Sequence, residues 1–202
     1  MFLGLVVLTL LAMIFLGPDG TLELESGVVE RVEDPTVAGP PEIVSEKEEE
    51  EAAPPPEDPT LFLTVPRLGL FSHTVRNDES ESALDLGAIK LPYTGFPWER
   101  GANTYIACHR LGWPGNESFN QCLNLPSIRQ GDEVFLTDTT GRVYQYRVSE
   151  IVVISPYDVW IADPLSGRDV VSLQTCVEGP NDFATLGPNW TARYVVRADK
   201  VA

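Results

Sequence analysis

Residues 60–202 are predicted to form an all-β domain, a barrel or a sandwich, on three observations. Short runs of β-branched and aromatic residues recur through this region, separated by Gly, Pro and Asp turn signals. From Val143 to Val148 the chain alternates in the manner of a strand with one wet face. Helical patterning is confined to short stretches, too little for a helical layer.

The chain opens on an apolar run, Phe2 to Gly17, somewhat short of the roughly 20 residues of a typical spanning helix. It is longer than a common signal-peptide core, with no small-x-small cleavage site after it and no basic flank before it. Residues 1–17 are therefore read as a membrane anchor or signal segment, from a chain expected to begin upstream of Met1. Residues 18–59 are poor in aromatics and rich in Glu, Pro and Val, with Pro40-Pro41 and Pro54-Pro55-Pro56. Such a segment buries too little apolar surface to offset its ordering entropy, so it is expected to be a disordered, self-repelling linker.

In the globular part, Leu61–Val65 is a strand that Pro66 ends or places at an edge, and Phe71–Val75 is a second strand or turn. Ser82–Gly87 is a short helix stopped by its glycine, and Ala88–Gly101, rich in Pro and Gly, is a connection. Asn103–Ala107 is a strand that delivers His109 at its end. One or two helical turns are expected over Phe119–Leu125. Glu133–Thr137 and Arg142–Ile154 flank a hairpin turn at Asp138–Gly141. After an irregular excursion, Ser155–Arg168, comes the β-favouring run Val170–Cys176, then a loop to Trp190 and a closing strand, Ala192–Val201.

The chemistry is placed on Cys176. A thiol at the junction of strand and loop is held by the sheet yet meets substrate, and it needs a base or a positive charge to ionise. The chain has 2 histidines, His73 and His109, and 3 cysteines. The formal charge of −16 argues against nucleic acid as a partner, because counterion replacement on phosphate needs a basic surface. Zinc-ligand spacing and a glycine-rich phosphate loop are both missing, and no metal or other cofactor is expected.

Ser172-Leu-Gln-Thr-Cys176 resembles the Thr-Leu-x-Thr-Cys signature of sortases, the cysteine transpeptidases of Gram-positive cell surfaces. Leu63–Leu70 resembles the family's opening strand, Thr104–Arg110 its Ala-Gly-His-Arg stretch, and Arg193–Arg197 its last strand. The resemblance covers roughly residues 61 to 201 and implies an eight-stranded β-barrel, with a compact layout leaning towards classes D or E. It also implies that Cys176 is the nucleophile, His109 the general acid and base, and Arg193 the oxyanion-binding guanidinium. Arg197 is the alternative, since both arginines share a strand face. Thr175 and Ala107 are expected in the substrate groove, and Tyr157 and Trp160 as one of its walls. His73 is read as structural. Cys108, which stands where sortases usually carry glycine, is expected either to bridge Cys122 or to pack with it as a separate thiol.

The activity so implied is cleavage of a Leu-Pro-x-Thr-Gly sorting signal after Thr through a thioester on Cys176. The partners are then surface proteins bearing C-terminal sorting signals and an amine of cell-wall precursor. The enzyme would be single-pass in the cell membrane, its barrel outside. Three alternatives stand beside it: a pilin polymerase, an inert anchored binding module, and a wall-anchored substrate. The last is suggested by Leu91-Pro-Tyr-Thr-Gly95, itself a Leu-Pro-x-Thr-Gly pentapeptide. That segment is mid-chain, without the hydrophobic span and basic tail that follow a sorting signal, and is read as coincidental.

Overall fold

The computed structural model describes residues 54–201. The expected anchor, 1–17, and the linker up to residue 53 lie outside the described residues. Among the described residues, strands β1 (Leu61–Val65), β2 (Leu70–Asn77), β3 (Ala88–Lys90), β4 (Asn103–Ala107), β5 (Glu133–Asp138), β6 (Val143–Ile154), β7 (Val170–Val177) and β8 (Ala192–Lys200) close into a barrel. The order around it is β1-β2-β3-β4-β7-β8-β6-β5. Pro66 ends β1 by opening a short 3-10 turn, Pro66–Leu68, but β1 is no edge: it is paired on both sides, with β2 and β5.

Ala88–Lys90, expected to be part of a connection, is instead the third barrel strand, parallel to β2 and antiparallel to β4. Three residues carry no periodicity, and Lys90 looks polar although it is fully buried. Its ammonium donates to Asn77 Oδ1 at 3.2 Å, Leu91 O at 2.9 Å and Thr94 O at 2.6 Å, so all three protons have acceptors. These bonds fold the Leu91–Gly95 pentapeptide into a turn, closed by Thr94 Oγ1 donating to Leu91 O. Thr94 is buried, and a Cβ on Gly95 would stand 2.7 Å from that of Ala102. The Thr94–Gly95 bond is thus packed into the domain, in a turn and not in the extended form that a sorting signal presents. Phe119–Leu125 is also not helical. It forms successive turns, with Asn120 left-handed at φ 56°, and a 3-10 turn follows at Leu125–Ser127.

The alternation of side chains across the wall places the site. In β4, β7 and β8 one set points into the barrel: Ile106, then Val171, Leu173 and Val177, then Ala192, Tyr194, Val196 and Ala198. A fully buried Leu or Val stabilises by roughly 1.5–3 kcal/mol, which pins the register of all three strands. The opposite set faces outward and is partly roofed. Tyr105 and Val195 pack under the 3-10 turn Val159–Ala162, and Ala107 packs under α1 (Glu81–Leu86).

Candidate active site

β4 and β7 run parallel, with Ala107 opposite Gln174. The ladder continues one step further, Cys108 N donating to Gln174 O at 3.0 Å, and so carries His109 to the level of Cys176. On the other side β7 is antiparallel to β8 and sets Cys176 directly opposite Arg193. Three segments distant in sequence therefore deliver an imidazole, a thiol and a guanidinium to one patch of the outer wall. All three line a cavity of about 320 Å³ walled by Trp113 and Trp190. They also line a second of about 370 Å³, between α1 and the strand ends, to which Ala107 and Gln174 contribute. A third, of about 140 Å³, lies under the β6–β7 segment and shares Gln174 and Arg193 with the second.

Cys176 is a free, half-buried thiol. Burial pushes its pKa up from the ordinary thiol value, and the charges of Arg193 and Arg110 oppose that rise. Since the net direction is upward, the thiolate fraction at neutral pH is small. Its alkylation by iodoacetamide should be slower at pH 7 than that of a free exposed thiol. The rate should go on climbing with pH where an exposed thiol has levelled off, and Arg193→Met should slow it further. A rate constant flat above pH 7 would contradict this reading.

Arg193 Nη1 donates to the carbonyls of Trp190 and Ala192, at 3.0 and 3.2 Å. Arg197 shares its outward face, as spacing along the strand requires, yet sits elsewhere. It is buried, paired with Glu150 at 3.1 Å and donating to Ile161 O at 3.2 Å. Of the two arginines, the register sets Arg193 opposite Cys176 and Arg197 opposite Ser172.

Thr175 does not line the groove. It lies on the inward face, fully buried, its hydroxyl donating to Cys108 O at 3.0 Å. The outward position is held by Gln174, which accepts from Tyr105 Oη at 2.6 Å. The alternation of β7 already separates residue 175 from 176, so this difference was implicit in the strand itself. Tyr157 and Trp160 are likewise not the groove wall. Tyr157 is 89% exposed and Trp160 lies against Arg197, while Val159 and Ile161 line the small cavity. His73 stands 3.8 Å from Glu117, away from these cavities.

Cys108 and Cys122 are joined in a disulfide, with Cα atoms 5.9 Å apart. Cys108 faces into the barrel, so the bridge anchors the segment after His109 from inside while His109 faces out. Two further contacts close that segment: Cys122 N to His109 O, and Asn120 N to Leu111 O. Gly112, at φ +62°, is needed here because a Cβ would overlap the Ser118 carbonyl. The bridge spans 14 residues. Replacing both cysteines by serine should destabilise the domain by about 3 kcal/mol in chemical denaturation.

Two groups that the sequence left without a role complete the surroundings. Arg110 is buried and donates to Leu123 O at 2.6 Å and Phe183 O at 2.7 Å, tying the loop after β7 to the loop after β4. Asp85, on α1, has its Oδ1 3.0 Å from His109 Nε2. Neither could be found from sequence, because 24 residues part Asp85 from His109 and 73 part Arg110 from Phe183. The long loop after β7 has a defined far end, where the Glu178 carboxylate accepts from Asn189 N at 3.1 Å and Trp190 N at 3.3 Å.

A comparison with curated proteins finds no match. Among solved structures, sortase C-1 of Actinomyces oris superposes with a TM-score of 0.60 at 22% identity, over 72% of this chain and 76% of that one. A lid mutant of Corynebacterium diphtheriae sortase A gives 0.59 at 21%, over 71% and 70%. Streptococcus pneumoniae sortase C gives 0.58 at 25%, over 70% and 65%. These likenesses establish the barrel fold. A family model described as the sortase domain matches residues 63–201, from β1 to the end of β8. With most of its length matched by that model, the chain belongs to the sortase family.

Proposed function

We propose that this domain is a cysteine transpeptidase that cleaves a Leu-Pro-x-Thr-Gly-like sorting signal after Thr and passes the acyl group to an amine of cell-wall precursor. The observation that carries this reading is the meeting of Cys176, His109 and Arg193 on the walls of the same two cavities. The Cys176 thiolate attacks the carbonyl carbon of the Thr–Gly bond, and the resulting oxyanion is held by Arg193. The tetrahedral adduct collapses as His109 gives a proton to the departing glycine nitrogen, leaving a thioester on Cys176. An acceptor amine then loses a proton to His109, attacks the thioester carbonyl and releases the thiolate. The reactive form is the one in which the Cys176 sulfur has lost a proton and the His109 ring has kept one.

A second reading has the same chemistry with a lysine side chain of a pilin as acceptor. The S. pneumoniae sortase C among the similar structures is described in terms of pilin substrate specificity. In both readings the domain works outside the cell, tethered by residues 1–17. The test is to offer the full-length protein a sorting peptide with a glycine-type amine, a lysine-bearing peptide, or neither. Intact-mass spectrometry should find the protein heavier by the acyl fragment, and product analysis should find cleavage after Thr. Intact peptide and unmodified protein under all three conditions would leave an inert barrel.

A further inference from the structure

Asp85 Oδ1 meets two nitrogens, His109 Nε2 at 3.0 Å and Trp113 Nε1 at 2.7 Å, the latter a donor. The backbone carbonyl of the same residue accepts from Ser118 Oγ at 2.6 Å and Asn116 Nδ2 at 3.1 Å. The end of α1 is thus fastened by four polar contacts to the segment that begins with His109. An ionised carboxylate only accepts, so the proton of the 3.0 Å contact sits on Nε2 of the ring, and Nδ1 is the remaining nitrogen. Half-exposed pairs of this kind contribute only about 0–1 kcal/mol to stability. Its physical consequence is orientation: it fixes which ring nitrogen holds the proton and which way the ring faces.

We propose that Asp85 is a positioning residue for the transpeptidation, holding His109 with Nε2–H donated so that Nδ1 exchanges protons with the leaving and incoming amines. This rests on the reading of His109 as general acid and base. Trp113 acts on the same oxygen, and its indole N–H keeps the carboxylate from turning away. Neither residue belongs to the four segments that resemble known sortases.

The experiment has two arms. In the first, ring-15N histidine spectra of the full-length protein, with His73→Gln to leave one signal, should report an Nε2–H neutral tautomer for His109. In Asp85→Ala that preference should be lost. In the second, acylation by a sorting peptide should lose about 10- to 100-fold in kcat on Asp85→Asn, with KM within about twofold. Asp85→Glu should recover part of the loss. An Nδ1–H tautomer in the unsubstituted site, or an unchanged kcat in Asp85→Asn, overturns the proposal. If the unsubstituted protein forms no thioester, the transpeptidase reading has failed instead, and the tautomer alone then decides whether Asp85 orients the ring.

Discussion

Cys176→Ala should abolish thioester formation and transpeptidation, with a loss of about 10⁵-fold or more in turnover, while leaving the barrel folded. The size follows from covalent chemistry: without the sulfur there is no acyl-enzyme, and what remains is binding plus an oxyanion site with nothing to stabilise. The fold should survive because Cys176 is the penultimate residue of β7, faces the outer side of the wall and leaves the interior cluster untouched. Cleavage of a labelled sorting peptide, followed beside a thermal melt, measures both. Full turnover by the alanine variant would remove the thiol from the mechanism. A large fall in melting temperature would place Cys176 in the core.

Arg193→Ala should lower kcat/KM for acylation by about 100- to 1000-fold, the usual loss when one oxyanion donor is removed. A lysine in its place should rescue poorly, because a point charge does not reproduce the planar fork of donors. The control is Arg197→Ala. Arg197 holds the β6–β7 segment through Ile161 O and pairs with Glu150. Its loss should therefore appear as roughly 2–3 kcal/mol of stability, with turnover per folded molecule near that of the unsubstituted protein. The two arginines are four residues apart on the same face, so the comparison isolates register from chemistry. Equal kinetic losses at both would show that the guanidinium at 193 has no special place.

The pentapeptide Leu91–Gly95 teaches the same distinction. Read as letters it is a substrate motif; read in three dimensions it is a turn clamped by Lys90, with Thr94 buried. A protease must draw its substrate out into an extended strand, and the bonds from Lys90 and the contact between Gly95 and Ala102 oppose this. Short motifs report composition, and burial decides whether the composition is available.

Much of the barrel was legible beforehand because strand alternation is local. The bounds of β1 and β4, the hairpin between β5 and β6, and the long β6 all follow from period-two patterning and turn residues. β3 was not legible, since three residues hold no period and its partners lie at a distance. Likewise local is the separation of Thr175 from Cys176 onto opposite faces, which the strand period contains.

By itself the sequence determined that the region is all-β, that Cys176 ends a β-favouring run, that His109 follows another, and that Arg193 and Arg197 share a face. Only the tertiary structure decided that Arg193 stands opposite Cys176, that His109 rises beside it on a parallel neighbour, and that Asp85 reaches the ring from α1. The reason is physical: side-chain direction repeats along a single strand and can be read from it, whereas register between strands is settled by burying the interior faces of all of them together.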